Sequence, residues 1–327
     1  MTAEPLLAIR GLTVAFGPPH RAVPVVEGVD LDVPDGACVG LVGESGSGKS
    51  MTAHAVLRLI PSPPGRVAAG RITFAGRDLL ALPEDELPPV RGRDIAMIFQ
   101  EPMSSLNPLM PVGAQIGEVL LLHENLTRAE RRRRVLEVLE DVGIPHPAQR
   151  LHAYPGEFSG GMRQRVMIAM ALACRPRLLI ADEPTTALDV TVQAQVLDLM
   201  RRLREAHGMA VLLISHDLGV IAEMADSVAV MYAGRIVENG SAAEVFRRPA
   251  HPYTRGLLDS IPRLDDTRER LHAIGGSVPP PGRRPRGCLF VTRCPLRRAQ
   301  CAEAPPPMFD FGGTHKAACW VTAGAPA

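Results

Sequence analysis

A glycine-rich loop contains the residues of this chain that are best suited to bind phosphate. Residues 43–50 read Gly-Glu-Ser-Gly-Ser-Gly-Lys-Ser and fit the pattern G-x-x-x-x-G-K-[ST] between a predicted strand and a predicted helix. The glycines let backbone N–H groups turn toward phosphate oxygens, and the positive end of the following helix adds to the attraction. The residues predicted to bind a nucleotide here are Gly43, Ser45, Gly46, Ser47, Gly48, Lys49, Ser50 and Met51.

Lysine is rare in this chain, which strengthens that interpretation of the loop. The chain has 36 lysines and arginines together, and only Lys49 and Lys316 are lysines. A lysine that is kept inside a glycine-rich loop therefore favours a phosphate contact over a chance turn. The compact ammonium group of Lys49 can neutralise phosphate charge, and the hydroxyl of Ser50 can bind Mg²⁺.

Two carboxylates follow the apolar run at residues 178–181. Asp182 and Glu183 are predicted to stand at the C-terminal end of a buried strand, where open α/β sheets bind their ligands. Asp182 is a candidate Mg²⁺ ligand, directly or through water. Glu183 is a candidate base for an attacking water, because that role needs a carboxylate within hydrogen-bond reach. The alternative for this pair is an acidic cap between a strand and a turn.

Residues 159–162 form a second candidate anion site. Ser159, Gly160, Gly161 and Met162 precede a predicted helix over 165–173, and a serine with two glycines at a helix start can bind an anion. One nucleotide cannot contact this site and the loop at 43–50 of the same small domain without being stretched. We therefore predict that residues 159–162 contact the γ-phosphate bound by a neighbouring subunit. The alternative is an ordinary helix cap.

The elements that must position these residues alternate between strand and helix. Helices are predicted over 50–60 and 191–206, and strands over 6–14, 25–33, 37–42, 95–99, 178–181 and 210–214. Residues 70–80 are predicted to form a further strand and a turn. Continuous apolar runs separated by a helix indicate a parallel sheet that is buried on both faces, and hence an α/β protein. Residues 101–170 are mainly helical with proline breaks and are predicted to form a helical insertion.

The composition is that of a globular protein without a charge bias. Of 327 residues, 46% are hydrophobic and 22% are charged, and the net charge is +1, which excludes chain-wide disorder and offers no overall basic field for nucleic acid. Residues 1–10 lack a signal-peptide pattern, and no apolar run approaches the roughly 18 residues of a membrane span, so a cytosolic chain is expected. The four arginines at 131–134 are predicted to be the solvated face of a helix, rather than a membrane or nucleic-acid surface.

The C-terminal part of the chain differs in composition. Twelve of the 31 prolines lie in residues 249–327, so a separate small domain is predicted to begin at 249. In a reduced cytosolic chain its four cysteines favour a metal site over disulfides, whereas Cys38 and Cys174 lie in apolar segments and are expected in the core. The spacing of the four is too wide for the cysteine pairs of an ordinary zinc ribbon. The candidate ligands are Cys288, Cys294, Cys301 and Cys319.

Together these motifs resemble those of the ATPase subunits of ATP-binding-cassette (ABC) transporters, and they occur in that family's order over nearly the whole chain. The resemblance implies that Phe16 stacks on adenine and that Ser50, Gln100 and Asp182 surround Mg²⁺. The alternative for Phe16 is an ordinary core aromatic. The alternative for His216, the switch histidine of the resemblance, is a capping residue. Met162 stands where glutamine is commoner, as is frequent in the peptide-transporter branch. The motifs are Walker A (43–50), the Q-loop (Gln100), the signature (159–163), Walker B (178–183), the D-loop (187–189) and the switch histidine (His216).

Three segments are similar to the dipeptide and oligopeptide importer ATPases, namely residues 99–108, the His-Pro-Tyr-Thr at 251–254 and the four tail cysteines. This similarity implies a P-loop NTPase cassette over 1–248, with a RecA-like parallel core, an antiparallel β subdomain and a helical subdomain at about 101–170. It also implies a proline- and cysteine-rich extension over 249–327. Some members hold a four-iron, four-sulfur cluster on these cysteines; zinc and four free structural thiols are the alternatives here.

The resemblance further implies an enzyme that hydrolyses ATP with Mg²⁺, through Glu183 and His216, to energise peptide uptake. The implied partners are a second cassette, identical or related, two membrane permease subunits and, indirectly, a substrate-binding protein, with no nucleic acid. The implied location of the protein is the cytoplasmic face of a bacterial plasma membrane. The permease is expected to dock near residues 100–107. One alternative is an importer of nickel, glutathione or cationic peptides. Another is a soluble cassette ATPase of DNA repair or translation, although such proteins usually carry two cassettes or long coiled coils.

Overall fold

The computed structural model describes residues 4–100, 106–186, 188–261 and 274–324. The strands in these ranges are β1 (Leu7–Phe16), β2 (Val23–Val33), β3 (Cys38–Val42), β4 (Gly65–Phe74), β5 (Arg77–Asp78), β6 (Ile95–Ile98), β7 (Leu178–Asp182), β8 (Ala210–Ser215), β9 (Ser227–Tyr232), β10 (Arg235–Ser241), β11 (Phe309–Asp310) and β12 (Lys316–Ala317). The α-helices are α1 (Lys49–Val56), α2 (Val112–His123), α3 (Arg128–Asp141), α4 (Pro147–Arg150), α5 (Gly160–Leu172), α6 (Val190–His207), α7 (Leu218–Met224), α8 (Ala242–Arg247), α9 (Pro252–Asp259), α10 (Ala299–Glu303) and α11 (Trp320–Ala323). The chain divides into two compact units.

The first unit, residues 1–33, 38–80 and 214–327, contains an antiparallel sheet in the order β2-β1-β4-β5. In β2 the residues Val29, Leu31 and Val33 are buried and alternate with two exposed aspartates, which is the pattern of a sheet with one solvated face. The strand and turn predicted over 70–80 are the end of β4 and the turn that follows it, after which β5 begins. Ala75 and Gly76 separate the two strands with positive φ values of 48° and 78°, which make a tight turn.

The same unit contains a buried parallel pair, β3 and β9, in which Val39 to Val42 lie beside Ser227 to Val230. All five residues of β3 are buried, as expected for a strand covered on both faces. Antiparallel strands extend this pair in the order β9-β10-β12-β11, and the last two come from the C-terminal segment. Glu238 and Asn239 of β10 pair with Ala317 and Lys316 of β12.

The second unit, residues 34–37 and 81–213, contains the parallel pair β6 and β7 and the helices that lie between these two strands in the sequence. Helices α2 to α5 lie within residues 112–172, in agreement with the mainly helical character predicted for 101–170. Thr127 begins α3 with a capping box to Glu130. Arg132 and Arg133 on that helix are exposed while Val135, Val138 and Leu139 are buried, so this run is a helix surface as predicted.

Two predicted helix boundaries were wrong, for local reasons. Helix α1 ends at Val56, four residues before the predicted end, because Arg58 takes a left-handed φ of 53°. Helix α5 begins at Gly160 instead of residue 165, because the side chain of Ser159 accepts the N–H of Met162 and caps it. Within the ranges that the structure describes, no helix combines the length and the apolar composition that crossing a membrane requires.

Candidate nucleotide site

The glycine-rich loop between β3 and α1 has a backbone that only glycine adopts easily. Gly43, Gly46 and Gly48 have φ values of 152°, 77° and 107°. A Cβ atom at Gly43 would collide with the carbonyl of Met231 on β9, so that glycine is also required by the close approach of two backbones. Below the loop, the N–H of Gly234 in the β9–β10 turn donates to the carbonyl of Ser47 at 2.8 Å.

Lys49 lies inside this loop and is 5% exposed. Its Nζ donates to the carbonyl oxygens of Gly43 at 2.7 Å and Glu44 at 3.1 Å, so the ammonium group is held at the mouth of the loop. The Ser47 hydroxyl is buried and has no hydrogen-bond partner among the described residues. Ser45 and Gly46 are exposed and Ser50 and Met51 are half-buried. With α1 starting at Lys49, the loop presents backbone N–H groups, an ammonium and hydroxyls, which fit a polyphosphate with Mg²⁺.

Sequence reasoning missed the support that Tyr253 and Arg293 give to Glu44 of this loop. The N–H of Glu44 donates to Tyr253 Oη at 2.8 Å, and its carboxylate forms a bidentate ion pair with Arg293 at 2.6 and 2.9 Å. Burial raises the pKa of the Tyr253 hydroxyl, and the Glu44 carboxylate raises the pKa of Arg293. The only signal in the sequence was a glutamate inside a loop that should attract anions.

In the second unit, Asp182 ends β7 and is 2% exposed, and Glu183 follows with a left-handed φ of 50°. A non-glycine residue in this region is strained, which is common at functional sites. Glu183 Oε2 accepts hydrogen bonds from Gln100 Nε2 at 3.1 Å and from Thr186 Oγ1 at 3.0 Å. The structure therefore brings together the Q-loop glutamine and the candidate base, which are 83 residues apart in the sequence.

Ser159 and Gly160 are exposed at the start of α5, where a neighbouring subunit could reach them. A Cβ atom at Gly161 would come within 2.7 Å of Val192 Cγ1 on α6, so this glycine allows the two helices to pack closely. Gln164 on α5 donates to the carbonyl of Pro184, directly after Glu183. The signature helix is thus hydrogen-bonded to the loop that carries the candidate base.

The remaining predicted site residues are placed as follows. His216 is exposed between β8 and α7, and Phe16 is half-buried at the end of β1, paired with Val23 and Gly65. Asp189 accepts the N–H of Val192 and caps α6. Residue 187 of the D-loop and residues 101–105 of the expected permease contact lie outside the described residues.

The four tail cysteines are near one another but are not arranged as a metal site. Burial and, to a smaller extent, the neighbouring thiols of Cys301, Cys294 and Cys319 raise the pKa of Cys288 to about 11. A hydrogen bond from the N–H of Phe290 lowers this pKa, but by less than burial raises it. Within the described residues, which include all four cysteines, no group of three or more histidine, cysteine or acidic side chains is positioned to hold a metal ion. The cysteine-only donor set suits iron or zinc, but the structure does not group the described thiols as the ligands of one ion.

Comparison with known proteins identifies the family. The family model "ABC transporter" matches residues 26–186, and "Oligopeptide/dipeptide transporter, C-terminal region" matches residues 237–301. The chain is 50% identical to the oligopeptide transport ATP-binding protein OppD of Bacillus subtilis, over 97% of this chain and 88% of that protein. The chain belongs to the ABC transporter ATPases. The resemblance that the six ordered motifs indicated, including the peptide-transporter branch, is confirmed.

Other members of this ABC family agree with that assignment. OppD of Escherichia coli is 50% identical over 97% of this chain and 94% of that protein. Among solved structures, a dimeric ATP-binding cassette in a post-hydrolysis state, bound to ADP and Pi, matches 72% of this chain and 98% of its own with a TM-score of 0.64 and 26% identity. These findings confirm the predicted α/β cassette fold and the class of ATP-hydrolysing enzyme that works in transport.

Proposed function

We propose that this ABC ATPase is the ATP-hydrolysing subunit of a bacterial importer of dipeptides or oligopeptides, bound to the cytoplasmic face of the plasma membrane. The observation that carries the peptide assignment is the C-terminal region, since its match over 237–301 is to the oligopeptide/dipeptide transporter model and not only to a general cassette. The names of the relatives support the same cargo. In this proposal residues 1–248 are the ATPase domain, with the helical subdomain at about 101–170, and residues 249–327 are the peptide-transporter extension.

The residues of the site take separate roles in hydrolysis. The loop at 43–51 binds the phosphates and Phe16 stacks on adenine. Ser50, Gln100 and Asp182 would hold Mg²⁺, which would neutralise phosphate charge. Glu183 accepts the proton of the attacking water. Its hydrogen bond from Gln100 supports this role, because that contact fixes the carboxylate and would report the state of the Q-loop to the base. His216 contacts the γ-phosphate.

Two cassettes act together in the proposed cycle. Each Walker A loop binds one ATP, and Ser159, Gly160, Gly161 and Met162 of the second cassette contact its γ-phosphate. The exposure of Ser159 and Gly160 at the N-terminus of the 13-residue helix α5 supports that role. The second cassette is a further copy of this chain or a related subunit. Closure of the pair drives two permease subunits, which receive cargo from a substrate-binding protein, and hydrolysis resets them.

An apolar groove in the second unit supports permease docking. A cavity of about 270 Å³ lies between β6, α2 and α5 and is lined by Phe99, Val119, Met167 and Met170 among others. Phe99 is 43% exposed, which is unusual for a large apolar side chain and suits a surface that a partner helix covers. Residue 99 precedes Gln100, so a helix in this groove would lie next to the Q-loop.

The tail cysteines supply the last part of the proposal. Cys288, Cys294, Cys301 and Cys319 would be the ligands of a four-iron, four-sulfur cluster, with zinc as the alternative. This would require the four thiols to be grouped around one centre, which the structure does not show. The support for this part is the cysteine-only donor set, which suits iron or zinc. Metal analysis and a visible absorption spectrum after anaerobic purification test this. A colourless protein with one equivalent of zinc would overturn the iron–sulfur assignment.

The test of the importer function is uptake in the source bacterium. Deletion of the gene should abolish ATP-dependent uptake of radiolabelled dipeptides or oligopeptides, and the wild-type gene should restore it where Lys49→Ala does not. Lost uptake of nickel or glutathione, with peptide uptake intact, would assign the other cargo. The protein should also copurify with membrane permease subunits. If the protein copurifies only with ribosomes or DNA, this would contradict the importer hypothesis and favour a soluble cassette ATPase.

A further inference from the structure

Glu44, the second residue of the phosphate loop, is held through all three of its polar groups. Its N–H donates to Tyr253 Oη at 2.8 Å, its carbonyl accepts from Lys49 Nζ at 3.1 Å, and its carboxylate accepts two hydrogen bonds from Arg293, at 2.6 and 2.9 Å. Tyr253 and Arg293 lie 209 and 249 residues further along the chain. The conformation of the loop therefore depends on the C-terminal segment.

The guanidinium of Arg293 is itself fixed from several sides. Its side chain is 3% exposed and lies over the rings of Tyr232 and Phe290, at 5.7 and 5.9 Å from their centroids. It also donates to the carbonyls of Ile274 and Gly275 at 3.2 and 2.9 Å. A buried bidentate arginine–carboxylate pair is geometrically specific, and removal of one partner leaves the other charge uncompensated.

The Glu44 carboxylate raises an electrostatic problem, because it puts a negative charge in a loop that must accept a polyphosphate. Without a partner, that charge would repel the phosphates in a partly buried site where screening is weak. The pair with Arg293 cancels it. The same contact fixes the direction of the carboxylate, and the contact with Tyr253 fixes the N–H of the same residue.

We propose that Arg293 is a positioning residue for ATP, which neutralises and orients Glu44 so that the phosphate loop can receive the nucleotide. The nucleotide site then includes the segment between Cys288 and Cys294, which no cassette motif covers. This inference rests on the proposed role of the loop at 43–51. It goes beyond that role because it assigns a function in ATP binding to the tail.

The first test compares Arg293→Gln with Arg293→Lys in the full chain, by titration with MgATP and by steady-state hydrolysis. Arg293→Gln should raise the Kd and KM for ATP about tenfold and leave kcat at saturating ATP within about twofold, because bound ATP restores the loop. Arg293→Lys should fall between this variant and the wild type. The exposed Arg286, shortly before that segment, gives the matched control Arg286→Gln, which should leave ATP affinity unchanged.

A rescue separates this role from a merely structural one. If the unpaired Glu44 carboxylate is what weakens binding, Glu44→Gln added to Arg293→Gln should return the Kd to within about threefold of the wild type. If the tail only stabilises the fold, Arg293→Gln should lower the Tm without changing the KM for ATP, and Glu44→Gln should not rescue the variant. A double variant as weak as Arg293→Gln would overturn the proposal.

A second variant and a measurement on the wild-type protein complete the test. If Arg293→Gln does not fold, Tyr253→Phe removes the acceptor of the Glu44 N–H and should weaken ATP binding in the same direction. A folded Arg293→Gln or Tyr253→Phe variant with the wild-type Kd for ATP would overturn the inference alone. Wild-type protein that does not bind ATP, or that binds it no better than Lys49→Ala, would instead overturn the proposed function.

Discussion

At the scale of single residues, Glu183 combines a strained backbone with a carboxylate that is held in place. Its φ of 50° and its two hydrogen bonds, from Gln100 and Thr186, direct the side chain after β7. The sequence predicted a candidate base at this point because the apolar run of a buried strand ends in Asp182 and Glu183. The contact with Gln100 could not be found from the residues alone, since strand order decides which chain ends meet.

Glu183→Gln should abolish turnover and keep ATP binding. The amide has nearly the same shape and cannot accept the proton of the attacking water, so kcat should fall at least about a hundredfold. The Kd for ATP should stay within about threefold of the wild type. Phosphate release and ATP titration measure the two quantities, and Glu205→Gln, on the exposed surface of α6, is the matched control. Unchanged hydrolysis by Glu183→Gln would contradict the assignment of the base.

At the scale of elements, Glu244 connects helix α8 to the C-terminal segment. It completes a capping box with Ser241 and also accepts a hydrogen bond from Thr314 Oγ1 at 2.9 Å. Hydrogen bonds from the Ser241 and Thr314 side chains and from the Ser241 N–H lower the Glu244 pKa to about 2. The capping box could be expected from Ser-x-x-Glu, but the partner 70 residues away required the structure.

The stability that Glu244 contributes should depend on pH. Because its pKa is lowered in the folded state, the contribution is complete above the unfolded value of 4.5 and is lost as pH falls toward about 2. Urea unfolding from about pH 6 to about pH 3.5 should therefore show Glu244→Gln less stable than the wild type at the upper end, with a difference that shrinks below about pH 4.5. Thr314→Val should show part of the same effect. A difference that stays constant over this range would rule out the ionised carboxylate as its cause.

At the scale of the whole molecule, the apolar groove beside Phe99 should connect the ATPase to its permease. Val119→Glu places a charge in this groove, which an apolar partner helix could cover only at a large desolvation cost. We expect loss of copurification with the permease subunits, while ATP hydrolysis by the isolated chain stays within about twofold. Leu122, which is 72% exposed and is not among the groove residues, provides the control Leu122→Glu. If both variants copurify like the wild type, the permease docks elsewhere.

The sequence by itself determined the elements whose causes are local. Glycines at 43, 46 and 48 impose the loop backbone, apolar runs of four or five residues make β3, β7 and β8, and Ser159 and Asp189 cap their helices. The predicted end of α1 was wrong, because one left-handed residue, Arg58, interrupted a good apolar pattern.

Only the tertiary structure decided which distant residues meet. Gln100 reaches Glu183 across 83 residues, and Arg293 reaches Glu44 across 249. Spacing along a chain fixes neighbours within one strand or helix, because each has a constant rise per residue. Pairing between separate segments depends instead on how buried surfaces pack. The phosphate loop could thus be read from its own residues, whereas the arginine that neutralises its glutamate is visible only in the folded chain.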